Sequence, residues 1–335
     1  MSQTMEQYNF YENRAVNAAV QLPKILPGEG YMPSEGLVRA LNVALMLQKP
    51  LLVTGVPGTG KSDLAHHIAD RFGWGEVVPF ATRTDSVATD LLYRYDSLAH
   101  FHRVNIEKGT ACELKAFEIE KDFIHYEALG RAICDSIGQN KEQQRRRRVV
   151  LIDEIDKAPR DLPNDILSLI ETMCFEVPEL KSAKETSPSF YRKEGDEVYK
   201  PVVILTSNSE KTLPEPFLRR CVYFHIDMPD KELLMKILLK KKRILRKLDE
   251  KSAAKFINLF LAISDLVTGK KPATHELILW IWWMQENGFS ADELIYFSSS
   301  SANAATLLSG MSILAKEESD LKAVVDAIEK HKLKG

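Results

Sequence analysis

The sequence predicts an α/β fold: a five-stranded parallel sheet covered by helices, followed by a smaller unit made of helices alone. Three observations carry this. Short apolar runs alternate with stretches of helical periodicity as far as residue 228, the pattern of strands buried on both faces beneath crossover helices. A glycine-rich loop over 55–62 joins the first of those runs to a helix-compatible stretch. Beyond Pro229 no strand pattern returns, and apolar residues recur only at helical spacing.

Taken in order, residues 1–33 read as a helix and a connector. Tyr8, Tyr11, Val16 and Val20 give 1–22 helical character, Pro23 ends it, and 22–33 is rich in Pro and Gly. Ser34 is placed to cap a helix whose Leu37, Leu41, Ala44, Leu45 and Leu47 form an apolar face. The first strand is 51–54, and the helix 63–72 follows the glycine-rich loop. The second strand is 76–80. Residues 82–103 mix polar and aromatic side chains, and 113–137 reads as largely helical. The third strand is 149–153, followed by a helix over 161–173. The long polar excursion 175–200 reads as a hairpin. The fourth strand is 202–206 and the fifth 221–226. Pro229-Asp230 marks the boundary, giving a large unit over 34–228 and a helical unit over 229–335, with no internal repeat.

Composition narrows the function classes. A chain of 335 residues makes one large or two modest domains with ample core. Hydrophobic content of 44% and charged content of 27% are those of a globular chain rather than a disordered one. A net charge of −2 exerts no global pull toward nucleic acid or a membrane surface. No apolar run approaches the roughly 18 residues of a membrane span. Residues 1–13 are polar and lack a signal-peptide core. Cys112, Cys134, Cys174 and Cys221 are widely separated, with no C-x-x-C spacing. Reduced structural thiols in a cytoplasmic protein are expected.

The loop reads Gly55-Val56-Pro57-Gly58-Thr59-Gly60-Lys61-Ser62. This is G-x-x-x-x-G-K-[ST] between a strand and a helix, the setting a P-loop requires. Its glycines let successive N–H groups converge on an anion, and the helix start adds unpaired N–H groups and a positive dipole end. Lys61 can reach the β- and γ-phosphates, and the Ser62 hydroxyl can ligate Mg²⁺. The nucleotide-binding set is Gly55, Pro57, Gly58, Thr59, Gly60, Lys61, Ser62 and Asp63. The loop reads phosphates only and leaves ATP and GTP undistinguished.

A second part of the site follows from the strand tips. Val149-Val150-Leu151-Ile152-Asp153-Glu154 is an apolar run ending in two acids, and ligands of open α/β sheets sit beyond the carboxyl ends of the strands. Asp153 is placed to hold Mg²⁺ directly or through water. Glu154, one residue on, is placed to act as general base on a water attacking the γ-phosphate. Asn208, after the fourth strand, emerges on the same edge and can orient that water. Arg219 and Arg220, before the fifth strand, are candidates for an arginine finger, supplied from a neighbour to stabilise transferred phosphoryl charge.

Together these residues resemble the AAA+ ATPases, and within them the MoxR group. The matches are the 55–62 loop, Asp153-Glu154-Ile155-Asp156-Lys157-Ala158, Pro163-Asn164-Asp165, Thr206-Ser207-Asn208, Phe217-Leu218-Arg219-Arg220-Cys221, and Asp90-Leu91-Leu92-Tyr93-Arg94-Tyr95-Asp96 after the second strand. The resemblance runs from about Tyr31 to Trp283. It implies the strand order 5-1-4-3-2 and a helical lid. It also implies a helix-2 insertion within 82–137 and a pre-sensor hairpin over 174–200, both facing a central pore. It implies homo-oligomeric rings, usually hexamers, with Mg-ATP at subunit junctions. The work would be remodelling or maturation of a protein partner, often beside a companion with a von Willebrand factor A domain. Asn208 matches sensor 1, and Arg220, ahead of Arg219, matches the trans-acting finger. Tyr31 stands where such proteins often enclose adenine. The sensor-2 region, Gly269-Lys270-Lys271-Pro272-Ala273-Thr274-His275-Glu276, holds no arginine.

Other features point to structure. The run 145–148 lies at the amino end of the third strand, about 17 Å from its far tip, and reads as a solvated helix end or turn. Lys240-Lys241-Lys242-Arg243 reads as the wet face of an amphipathic helix over 231–248. Leu277, Trp280, Ile281 and Met284 follow core spacing, leaving at least one of Trp282 and Trp283 to point elsewhere, with a subunit contact possible. His66 and His67 have no Cys or His at ligand spacing. Two other functional classes fit some of these residues: a nucleic-acid-linked motor, drawn from the basic runs, and a nucleotide-gated switch with little turnover.

Overall fold

The computed structural model describes residues 27–107, 116–138, 145–180, 189–191, 197–301 and 303–331. The helix expected over 1–22 and Cys112 lie outside these. Contacts between residues divide the chain into two compact units. One is Pro33–Gly55 with Lys61–Ile226. The other takes Val56–Gly60 and the described parts of Met1–Met32 and Asp227–Gly335.

In the first unit the chain runs α1 (Glu35–Leu47), β1 (Leu51–Thr54), α2 (Lys61–Phe72), β2 (Val78–Ala81), β3 (Tyr93–Tyr95), α3 (Ser97–Glu107), α4 (Ala116–Phe123), β4 (Ile124–Tyr126) and α5 (Ala128–Ile137). It continues through β5 (Val149–Asp153), α6 (Leu162–Thr172), β6 (Cys174–Glu176), β7 (Ser189–Tyr191), β8 (Val202–Ser207), α7 (Glu215–Leu218) and β9 (Val222–His225). Ser34 caps α1 as expected, its hydroxyl accepting from Leu37 N at 3.2 Å. Five strands form a parallel sheet in the order β2-β5-β8-β1-β9. Every residue of β1 and β8 is buried, which is why their sequences are unbroken apolar runs rather than alternating ones. The register pairs Ala81 with Asp153, Val53 with Thr206 and Thr54 with Ser207, so these tips share the carboxyl edge.

Three local expectations change. The second strand begins at Val78, two residues later than read. The stretch 113–137 is not continuously helical: β4 separates α4 from α5 and pairs antiparallel with β3, Tyr93 opposite Tyr126. Ile124-His125-Tyr126 is too short for periodicity to distinguish strand from helix. The run 145–148 is neither a helix end nor simply solvated. Arg148 is buried and bonds Asp135 at 2.6 Å, and Arg147 donates to the Lys200 carbonyl at 2.8 Å and lies over Trp74. The 175–200 excursion contains the expected hairpin, β6 against β7. Its Phe175 and Phe190 stack at 4.8 Å, and Tyr126 of β4 meets Phe190 edge-on at 5.5 Å.

In the second unit no strand occurs among the described residues. It comprises α8 (Lys231–Lys240), α9 (Glu250–Leu266), α10 (Thr274–Glu286), α11 (Asp292–Ile295), α12 (Ala304–Ser309) and α13 (Glu318–Glu329). Asp230 and Asp249 cap α8 and α9 by accepting main-chain N–H groups. Trp280 is fully buried and meets Phe256 edge-on. Trp282 and Trp283 both pack, partly buried, against the same core, and Trp283 lies over Gly310, so neither stands apart from it. The helix expected to reach residue 248 stops at Lys240. Lys241 is buried and donates to the Glu29 carbonyl, and Arg243 pairs with the Glu29 carboxylate at 3.6 Å. Lys241 is therefore turned inward against the chain before α1, while Lys240, Lys242 and Arg243 remain exposed as the wet-face reading expects. No described helix is long and apolar enough to cross a membrane.

Candidate nucleotide site

β1 delivers the chain into the 55–62 loop. Gly58 and Gly60 adopt φ of +82° and +85°, which residues with a Cβ reach only under strain. Space demands glycine as well. A Cβ on Gly60 would stand 2.9 Å from a ring carbon of Tyr31, and one on Gly58 would stand 2.7 Å from the Ala273 Cβ. Tyr31 thus lies against the loop. Thr59 Oγ1 donates to the Val56 carbonyl at 2.9 Å and tightens the turn. Pro57 is exposed at its crest.

α2 opens at Lys61, with Ser62 and Asp63 in its first turn. Lys61 is buried, and its Nζ donates to the Gly55 carbonyl at 2.8 Å. Burial pushes its pKa below the ordinary lysine value, while Asp153, Asp156 and Glu154 pull it back up. Ser62 Oγ donates to Asp153 Oδ1 at 2.9 Å, and Thr206 Oγ1 donates to the same oxygen. A serine hydroxyl and a carboxylate oxygen in contact are hard donors suited to Mg²⁺. The Thr82 hydroxyl, buried just past β2, has no partner among the described residues, and the Thr82 N–H donates to the Asp153 carbonyl at 3.1 Å. A buried hydroxyl without a partner is costly and fits an edge built to receive a polar ligand or its water. These residues fit a magnesium-bound nucleotide triphosphate.

Glu154 stands one residue past β5 in the left-handed region, φ 57°. Its N–H donates to Thr206 Oγ1 at 3.0 Å. Its carboxylate accepts from Asn208 Nδ2 at 3.3 Å through Oε1 and from Lys157 Nζ at 2.5 Å through Oε2. Asp156, buried in the turn that follows, accepts the N–H groups of Asn208 and Glu210. The edge therefore brings together Lys61, Ser62, Asp153, Glu154 and Asn208 from α2, β5 and β8. Arg219 pairs instead with Glu215, and Arg220 with Glu171 at 3.5 Å; neither bonds Asp153 or Glu154. Among the described residues no group of three His, Cys, Asp or Glu side chains is arranged to hold a metal, and His66 and His67 remain half-buried on α2.

Sequence reading missed Thr206, Asp156 and Lys157. Thr206 and Ser207 are buried hydroxyls closing an otherwise apolar strand, and that break in pattern was the signal. Asp156 and Lys157 follow the acidic pair after Ile155, but only the turn shows which groups they meet.

A family model for an AAA domain of the dynein-related subfamily matches residues 50–221. No curated protein matches the chain.

Proposed function

The chain belongs to the AAA domain family, in its dynein-related subfamily, and from that membership we propose that it is a Mg²⁺-dependent ATP hydrolase of the MoxR type. It works in a ring of copies, and its turnover remodels or matures a protein partner. The observation that carries the chemistry is the bond from Ser62 Oγ to Asp153 Oδ1, which joins the loop hydroxyl to the strand carboxylate at one point.

In this reading Ser62 and Asp153 hold Mg²⁺, and the ion supplies positive charge against the phosphate oxygens. The loop amides and Lys61 bind the phosphates, and Tyr31 borders the base. Glu154 takes the proton of the attacking water, and Asn208 orients that water. Arg220, with Arg219 second, acts across the junction between copies, consistent with side-chain exposures of 49% and 76%. Residues 34–228 bind the nucleotide, 229–335 act as the helical lid, and 1–33 precede them. Counted in chain order the sheet strands read 5-1-4-3-2, which supports the AAA+ assignment. The antiparallel β3–β4 pair and the β6–β7 hairpin lie within the two segments that this reading assigns to pore-facing insertions. The partner is a protein client, with a von Willebrand factor A companion.

The nucleic-acid reading loses part of its motive, because Arg147, Arg148 and Lys241 are engaged in internal contacts and Arg243 pairs with Glu29. The reading is tested by phosphate release over a range of protein concentrations. Turnover per subunit should rise cooperatively with concentration. Lys61→Ala should lose nucleotide affinity. Glu154→Gln should bind ATP without turning it over and retain the client in a pull-down. Hydrolysis by Glu154→Gln at the parental rate would remove Glu154 as the base.

A further inference from the structure

Each oxygen of the Glu154 carboxylate already accepts one hydrogen bond in this structure. Oε1 accepts from Asn208 Nδ2 at 3.3 Å and Oε2 from Lys157 Nζ at 2.5 Å. A general base must point a lone pair at the water proton it removes. Here an ammonium and an amide each hold one oxygen and set the orientation of the carboxylate, and the amide is the group otherwise available to orient the water.

The Lys157 contact is built by the turn. Ile155 and Asp156 are buried at 0% and 3% exposure, and Lys157 N donates to the Glu154 carbonyl at 2.9 Å. These contacts anchor the turn and return Lys157 over Glu154 three residues back. The side chains themselves are not locked: Lys157 is 42% exposed and Glu154 39%. Water and salt compete for such a pair, so it is weak and reversible. Lys157 can also leave toward solvent, since the space beside it is open. A cavity of about 570 Å³, open to solvent, is lined by Lys157 itself together with Thr84, Asp156, Arg160, Lys211 and Pro214. The bond to Glu154 raises the pKa of Lys157 above the ordinary lysine value, so the cation persists through neutral pH and the contact is broken by movement rather than by titration.

We propose that Lys157 is a positioning residue that holds the Glu154 carboxylate turned away from the water and keeps basal turnover low until its ammonium swings out into solvent. This rests on the reading of Glu154 as the base. It makes the charge on Lys157 a brake on hydrolysis.

The test is steady-state ATP turnover by the full chain, as parent, Lys157→Met and Lys157→Arg, with unfolding temperature measured alongside. Lys157→Met keeps the apolar stem and removes the cation. Its kcat should rise about two- to fivefold, the range of a half-exposed pair, with KM unchanged. Raising salt from about 0.05 to about 0.3 M, which screens such a contact, should activate the parent and leave Lys157→Met unaffected. Lys157→Arg should restore the low rate. A kcat for Lys157→Met at or below the parent's, or an equal salt response in both, overturns the proposal. Glu154→Gln separates the two failures. If it is silent while Lys157→Met matches the parent, only the brake falls; if it turns over normally, the base assignment falls.

Discussion

The buried carboxylate of Asp156 accepts the N–H of Glu210 at 3.0 Å, and its other oxygen faces the N–H of Asn208 at 3.4 Å. One side chain from the turn after β5 thus fixes the turn after β8, across Ser209 in its left-handed conformation, φ 61°. Asp156→Ala leaves two main-chain donors unpaired, at a cost of about 1–3 kcal/mol. Turnover should fall by about ten- to a hundredfold as Asn208 loses its placement. Calorimetry and phosphate release on the same preparation check both.

Gly60→Ala tests the loop. The added Cβ meets Tyr31 at 2.9 Å and must adopt φ +85°, which costs about 1–2 kcal/mol from the backbone alone. Nucleotide affinity should drop about tenfold or more, read by isothermal titration. Gly73→Ala is the comparison: it also has a left-handed φ, +67°, but open space around its Cβ. It should lose stability and keep affinity.

Magnesium dependence should follow Ser62 and Asp153. Chelation with EDTA should abolish turnover. Ser62→Ala removes one of the two hydroxyls on Asp153 Oδ1 and should raise the magnesium needed for half-maximal rate about ten- to a hundredfold. Titration of turnover with MgCl₂ gives the value, and an unchanged midpoint removes Ser62 from the metal site.

Acid stability of the helical unit should depend on Asp320. Its buried carboxylate accepts from Thr268 N at 3.0 Å, Thr268 Oγ1 at 2.9 Å and Gly269 N at 3.1 Å. These bonds, led by the one from Thr268 N, hold its pKa below the ordinary aspartate value. A lowered folded-state value stabilises fully above the unfolded value, about pH 3.9, and the gain is lost as pH falls through the folded one. Asp320→Asn should therefore unfold at lower temperature near neutrality. Its Tm should also fall less steeply than the parent's below about pH 4.

The phosphate loop was legible because its chemistry is local: glycines, lysine and serine must stand at fixed spacing whatever surrounds them. Asp153 and Glu154 were legible for a related reason, two acids at the end of a buried strand. Contacts between distant residues were not. Arg148 reads as one of four like charges until Asp135 is placed beside it. Lys241 reads as one of a basic run until the helix ends at Lys240 and turns it toward Glu29. The β3–β4 pair escaped because three-residue strands carry too little period, and only their pairing identifies them.

The rings of Tyr126, Phe175 and Phe190 have a mechanical consequence. They glue two ribbons that are far apart in sequence, and Tyr93 adds a tether to Glu179 at 2.9 Å. Stacked and edge-on rings resist sliding past one another, so the seam couples the displacement of one ribbon to that of the other.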